Sequence, residues 1–272
     1  MKCRVCFVFA ALCLCAALLA GCGRTGSAAA SGGSSAPAGS GPAAGEATLT
    51  GRVVAAEGPS LLLAGWGEGQ DDAGRVYRVT VPETADPASF EAGMLVDVIY
   101  SGEMLALYPS LPADVRAVRS RADGFDDLCA LYLQVLEDLW QVDEGPNSGI
   151  TELGVDLSGT RLSPAEQAAV AWAFGEAHGI VPVQGTREQL AEQGWLTPDD
   201  PAADHPMYHW ENGCLFTIAE QPASGVYNAP TLCFDAQKWR SGTGAYFFRD
   251  CTSTQSALGR WAGYTVGAYA IS

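Results

Sequence analysis

The sequence predicts two folded modules in series, a small all-β barrel or sandwich at 47–120 and an α+β two-layer domain at 121–272, its helices packed on a four-stranded antiparallel meander. Three observations predict this. From Ala47 to Ser120, short β-patterned runs recur at close intervals between Gly, Pro and Asp turns. From Asp123 the apolar spacing changes to three and four residues, the period of a helix. From Tyr208 onward aromatic and β-branched runs return, separated by turn residues, as in a meander.

Ahead of these modules, residues 1–22 read as a secretory signal. Lys2 and Arg4 open it, Val5–Leu19 is apolar, and small residues close it. The run is too short for a stable membrane-spanning helix. Its end, Leu19-Ala20-Gly21-Cys22, resembles the lipobox of bacterial lipoproteins. That resemblance implies diacylglycerol on Cys22, palmitate-type acylation, and residence on the outer face of the bacterial cytoplasmic membrane. Two or more acyl chains anchor durably where one does not. Residues 23–46 are nearly all Gly, Ala, Ser and Pro, a composition that buries too little to fold. As a flexible coil this linker reaches roughly 25–30 Å.

Candidate strands of the first module are Leu49–Ala55, Leu61–Gly65, Val76–Pro82, Leu95–Tyr100, Met104–Tyr108 and Val115–Arg119. In the third, Tyr77, Val79 and Val81 share one face and Arg78 and Thr80 the other. The loop Trp66–Gly74 is too polar for a core. The runs Gly51-Arg52-Val53-Val54, Val76-Tyr77-Arg78-Val79, Gly93-Met94-Leu95-Val96-Asp97-Val98, Tyr100-Ser101-Gly102-Glu103 and Tyr108-Pro109 resemble a small OB-like β-barrel domain of unassigned function in lipoproteins of Gram-positive bacteria. OB-like barrels often hold oligonucleotides or oligosaccharides. Here the scarcity of cations favours a spacer or protein-docking role.

In the second module, Phe125, Leu128, Leu131, Tyr132, Val135, Leu139 and Val142 form an amphipathic stripe, with Asp123 as the expected N-cap. Ser163-Pro164-Ala165-Glu166 announces a second helix running to about His178, through a cap serine, a first-turn proline and a reciprocal glutamate. Thr186 caps a third, shorter helix ending near Gly194. Strands are expected at Tyr208–Ala219, Thr231–Arg240, Ala245–Thr252 and Arg260–Ile271. This half resembles exported domains of the same bacteria and, in architecture alone, cystatin-like and NTF-two-like folds, a likeness that carries little about function.

Charge excludes one large class of partner. The chain carries −16, and loss of Lys2 and Arg4 with the signal takes it to −18. So acidic a chain does not neutralise phosphates, and no nucleic acid is expected. Anionic headgroups repel it as well.

The residues that could bind a ligand gather at Lys238–Cys251. Lys238, Arg240, Arg249 and Arg260 are four of the six cations after residue 122, against 20 acids. Lys238, Arg240, Arg249 and Trp239 are therefore the candidate ligand-binding set, for an envelope protein, an acidic peptide or a glycan. The alternative is internal pairing with the surplus carboxylates. Register separates two geometries. A four-residue loop at Ser241–Gly244 sets Arg240 opposite Ala245 and puts the cations on one face. A three-residue loop sets Trp239 opposite Ala245 and Cys233 opposite Cys251, the possible disulfide. Gly242 and Gly244 permit either turn.

Catalytic chemistry finds no signature. Four cysteines follow the linker, Cys129, Cys214, Cys233 and Cys251, none at zinc spacing. His205 and His209 flank Pro206 beside Asp204 and read as loop residues, and His178 as a helix C-terminal imidazole. Asp143, Glu144, Asn147, Glu152 and Asp156 fail calcium-loop spacing and read as a solvated turn. Ser241 lacks a recognisable base and oxyanion site. Trp239, Tyr246, Phe247 and Phe248 read as sheet core before carbohydrate platform. The reading is a non-enzymatic, membrane-anchored binding or accessory module with no metal and no cofactor. Its alternatives are a sensor or inhibitor acting through the Lys238/Arg240 hairpin, and an envelope enzyme.

Overall fold

A computed structural model describes residues 45–68, 74–204, 206–222, 230–261 and 263–272. It is mostly β-sheet with three α-helices among the described residues. The first sheet contains β1 (Ala47–Glu57), β2 (Ser60–Gly65), β3 (Val76–Thr80) and β4 (Leu95–Tyr100). A short hairpin follows, β5 (Met104–Leu105) and β6 (Leu111–Pro112), and then β7 (Ala117–Ser120). The strand order β3-β2-β1-β4-β7 is antiparallel throughout.

Alternation in these strands fills both faces. Leu49, Val53, Leu61, Leu63, Tyr77, Val79, Val96 and Val98 form one core, while Val54, Leu62, Ala64 and Val76 face the other way. A bulge between Val53 and Ala55 lets β1 bend and serve both faces. Among the described residues the barrel closure that the first-module resemblance implied is absent, and β3 and β7 are the ends of the sheet. The expected strand at Met104–Tyr108 shrinks to two residues, Met104–Leu105, paired with Leu111–Pro112.

The helices are α1 (Leu128–Gln141), α2 (Pro164–Ala177) and α3 (Arg187–Glu192). α2 and α3 begin at complete capping boxes, Ser163 with Glu166 and Thr186 with Gln189. α1 starts later than its stripe predicts, with Asp127 at the N-cap and the Asp126 carboxylate accepting from the Leu128 N–H. Between the helices run β8 (Glu152–Gly159) and β9 (Pro182–Gln184). Thr197–Pro198 (β10) pairs with Tyr208–His209 (β11). The chain ends in β12 (Gly213–Gln221), β13 (Thr231–Ser241), β14 (Gly244–Thr254) and β15 (Ala268–Ile271).

The meander is correct in order but incomplete as a sheet. β15-β14-β13-β12 continues into β8 and β9, which lie parallel, so the sheet has six strands and mixed direction. Glu152 and Asp156, expected in a solvated turn, lie on β8. Its Leu153, Val155 and Leu157 point inward. The β8-α2-β9 segment is a crossover, which parallel pairing requires.

α1 and α2 pack against both sheets. One core joins Val54, Leu62, Ala64 and Val76 to the helices and to Phe216, Ile218, Phe234 and Phe248 of the six-stranded sheet. No break in packing marks residue 120, and Gly41–Ser272 forms one compact unit. A buried ion pair crosses that position: Arg52 Nε on β1 lies 2.7 Å from Glu166 on α2, their side chains 4 % and 9 % exposed. The Arg52 guanidinium also donates to the carbonyls of Gly93 and Gly124, and stands 4.3 Å over the Trp66 ring.

Candidate binding cleft at the β13–β14 hairpin

The turn joining β13 and β14 is tighter than either expected loop. Ser241 pairs with Gly244, leaving Gly242 and Thr243 as the tip, and neither Gly242 nor Gly244 uses the left-handed backbone. What Gly242 provides is closeness, since a Cβ there would lie 3.0 Å from the Met207 methyl. A bulge at Arg240 then restores Trp239 opposite Ala245. A second bulge places Asp235 against Arg249 and Asp250, and Asp250 adopts φ 52° to allow it. Asp235 holds this bulge, one oxygen accepting from the Asp250 N–H and the other from Arg249 at 2.9 Å.

The second bulge separates the cysteines expected to be cross-strand partners. Cys233 faces Thr252 and Cys251 faces Phe234, and Cys251 is a buried free thiol. Burial pushes the Cys251 thiol up to about 12, with Asp235 and Asp250 adding to it. Burial likewise pushes Cys214 up to about 12, against the opposing pull of Lys238 and Arg240. These thiols stay protonated at neutral pH and are not nucleophiles.

The expected cationic patch is taken apart by the same register. Lys238 is fully buried on the helix-facing side, in line with Phe234 and Ala236. Its ammonium donates to the Val142 carbonyl at the C-cap of α1, to the Trp140 carbonyl, and to Asn147 Oδ1 at 2.6 Å. Burial lowers its pKa, with Cys214, Asp143 and Glu144 opposing. Arg240 donates to the carbonyls of Ser148 and Glu211. Arg249 pairs with Asp235 and stacks 4.5 Å over Phe247, on the opposite sheet face. Lys238, Arg240 and Arg249 therefore serve the fold's own oxygens and do not converge on a ligand. Arg260, too, pairs with Glu91 and lies over Phe125.

Of the expected set, Trp239 does border open space. It lies on the face away from α1 and α2, packed with Leu190, Leu196, Trp210, Leu215 and Ala245. Two adjoining depressions meet at its indole and at Gly242. One, about 470 Å³, is lined by Arg187, Ala191, Met207 and Tyr208. The other, about 560 Å³, has Thr217, Gln237 and Phe247 on its floor and Asp156, Glu188 and Ser241 around it. These volumes suit a small ligand or a short chain segment. The Arg187 guanidinium stands 5.6 Å over the Trp239 ring. The capping box at Thr186 fixes where Arg187 projects.

A third depression lies behind the hairpin tip, about 470 Å³, lined by Asp199, His209, Glu211, Arg240, Ser241 and Thr243. There His209 Nδ1 lies 2.6 Å from Asp199, which orients the imidazole. No hydrogen bond joins Ser241 to His209 among the described residues, so the serine is not activated. His205 lies outside the described residues, as do Cys22 and the linker before Gly45. His178 sits at the C-cap of α2, stacked on Trp140 at 3.7 Å, with Glu137 at 3.1 Å from its Nε2.

Sequence reasoning missed Arg187, Met207, Tyr208, Thr217 and Gln237. Alternation along β12 and β13 would have grouped Thr217 and Gln237 with Trp239. Nothing local announces that α3 and the loop before β11 come to rest beside them. Among the described residues no helix is long and apolar enough to cross a membrane. Compared with known families, characterised proteins and solved structures, the chain matches none, so its function is read from its own residues.

Proposed function

We propose that this chain is a lipoprotein of the bacterial cell envelope, held by lipid on Cys22 at the outer face of the cytoplasmic membrane, and that it works as a non-catalytic binding module. The cleft around Trp239 is its binding surface. One observation carries the reading: hydrogen-bonding side chains, Gln237 and Thr217, project from a rigid sheet beside an indole that Arg187 overhangs. Planar amides, hydroxyls and aromatic rings on fixed strands are the groups that orient small polar ligands. An envelope glycan fragment or short peptide has the matching chemistry.

The test titrates the unlipidated full chain (Cys22→Ala) with envelope glycan fragments and with short acidic peptides, following tryptophan fluorescence. Arg187→Ala/Gln237→Ala is expected to weaken binding by about 10-fold or more, the size of effect lost charge-assisted contacts produce. Unchanged affinity in the double variant, or no binding by any probe, removes the cleft from the reading. Intact mass of the membrane-fraction protein checks the anchor separately.

A further inference from the structure

Of the eleven large apolar side chains exposed among the described residues, four lie within one five-residue stretch. Met104, Leu105, Leu107 and Tyr108 are 36, 49, 60 and 45 % exposed. With exposed Ala106 they make an unbroken uncharged run at the tip of the β5–β6 hairpin. Single exposed apolar residues are ordinary, but a consecutive run of this length needs a function.

The hairpin is braced. Ser110 accepts from the Arg78 N–H and donates its own N–H to the Val76 carbonyl, both at 2.9 Å, which ties it to β3. The Tyr108 ring meets Trp172 of α2 edge-on at 5.2 Å. Polar backbone groups at the tip are partly satisfied within it. The Leu107 N–H donates to the Leu105 carbonyl, and the Ser110 hydroxyl donates to the Leu107 carbonyl. Internal satisfaction lowers the cost of taking such a tip out of water.

Its position indicates what covers it. Ala47, where the chain enters β1, pairs with Tyr100, the last residue of β4. The hairpin leaves from that same Tyr100 through Ser101 and Gly102, and a Cβ on Gly102 would lie 3.8 Å from that of Ala47. The root of the apolar hairpin therefore lies beside the residue to which the linker from Cys22 connects. We infer that the Met104–Tyr108 tip inserts into the interface of the bilayer that holds the anchor, an inference that rests on the reading of Cys22 as lipidated. Tyrosine suits the headgroup level. Glu103 and Asp114 flank the hairpin's base and remain in water, so insertion favours zwitterionic over anionic lipid.

The test is hydrogen–deuterium exchange of the lipidated mature chain in protein-free phosphatidylcholine vesicles, set against the Cys22→Ala chain in buffer, with intact mass reporting lipid on Cys22. Insertion is expected to slow the amides of Met104–Ser110 by about 10-fold, while the segment around exposed Leu258 is unchanged. Leu105→Glu/Leu107→Glu, at two exposed positions, is expected to abolish the slowing with far-ultraviolet circular dichroism unchanged. Equal exchange with and without vesicles overturns the inference even if Cys22 carries lipid. Slowing confined to native envelope membranes also overturns it, by giving the hairpin to a protein. If Cys22 carries none, the anchor reading fails alone. The Cys22→Ala chain at high lipid concentration then decides, slowing supporting insertion and unaltered exchange overturning it.

Discussion

Lys238 is the residue whose environment departs furthest from its sequence neighbourhood. Its ammonium is buried among two carbonyls and an amide oxygen, with no carboxylate in contact among the described residues. It closes the last turn of α1, where a helix exposes unpaired carbonyls and its dipole favours a cation. Burial lowers its pKa below the usual 10.5. The unfolded chain then binds more protons than the folded one between the lowered value and 10.5, so stability rises with pH across that window. Lys238→Met takes the ammonium donor from the Val142 carbonyl and from Asn147 Oδ1, while the Trp140 carbonyl keeps the Asn147 amide, and is expected to cost about 1–3 kcal/mol. Urea midpoints at pH 8 and 10.5 check both effects: the gap between wild type and variant should widen as pH climbs, and a constant gap removes the titration argument. Strand alternation through Phe234 and Ala236 already pointed Lys238 inward. Its charge drew it outward in the sequence reading, because nothing in the sequence shows that α1 ends above it. Arg249 and the cysteine pair were misplaced for another reason: two bulges reset the register, and a bulge has no signal when its stabilising partner, Asp235, sits on the opposite strand.

Among the elements, β8 depends on a close approach that only glycine allows. The Trp210 indole lies across β8 and β12 where Gly154 and Gly213 stand, and its N–H donates to Glu152. A Cβ on Gly213 would fall 2.2 Å from Trp210 Cε2, and one on Gly154 2.7 Å from Cζ3. Trp210 in turn packs with Trp239 and Leu215, which line the cleft. Gly213→Ala is therefore expected to displace the indole and cost about 1–3 kcal/mol, the range for overpacked cores. Near-ultraviolet circular dichroism would report the changed tryptophan environment, and urea unfolding the loss of stability; a variant with both unchanged would mean that the indole does not sit on the glycines. β1 to β4, the capping boxes of α2 and α3 and the final meander were legible because each is announced by local pattern. β8 had the pattern too, in Leu153, Val155 and Leu157, but Glu152 and Asp156 disguised it. One of those acids is the partner of Trp210 and the other binds Ser158 on the same strand.

For the whole molecule, periodicity shows which faces are apolar but not which faces meet. The sequence therefore suggested two modules where one core joins both sheets through α1 and α2. The Arg52–Glu166 pair lies in that junction, and Glu166 serves it twice, with one oxygen accepting from Arg52 and the other from the Ser163 N–H of the capping box. Removing one member of a buried pair leaves the other charge without a partner, at a cost of about 3–5 kcal/mol. Arg52→Met should therefore lose about that much. Adding Glu166→Gln, which keeps an acceptor for the cap, should recover part of the loss, because it removes the stranded charge. The cycle measures coupling between the first sheet and α2 directly. In both variants, unfolding followed by far-ultraviolet circular dichroism and by tryptophan fluorescence should give coincident transitions; the first probe follows both sheets, and the second mainly the part after residue 120, which holds six of the seven tryptophans. Separate transitions would mean that 47–120 unfolds alone and that the shared core is too weak to couple the halves. Coincident ones would make any force on the β5–β6 hairpin, at the tether end of the first sheet, a force on the sheet that carries the cleft.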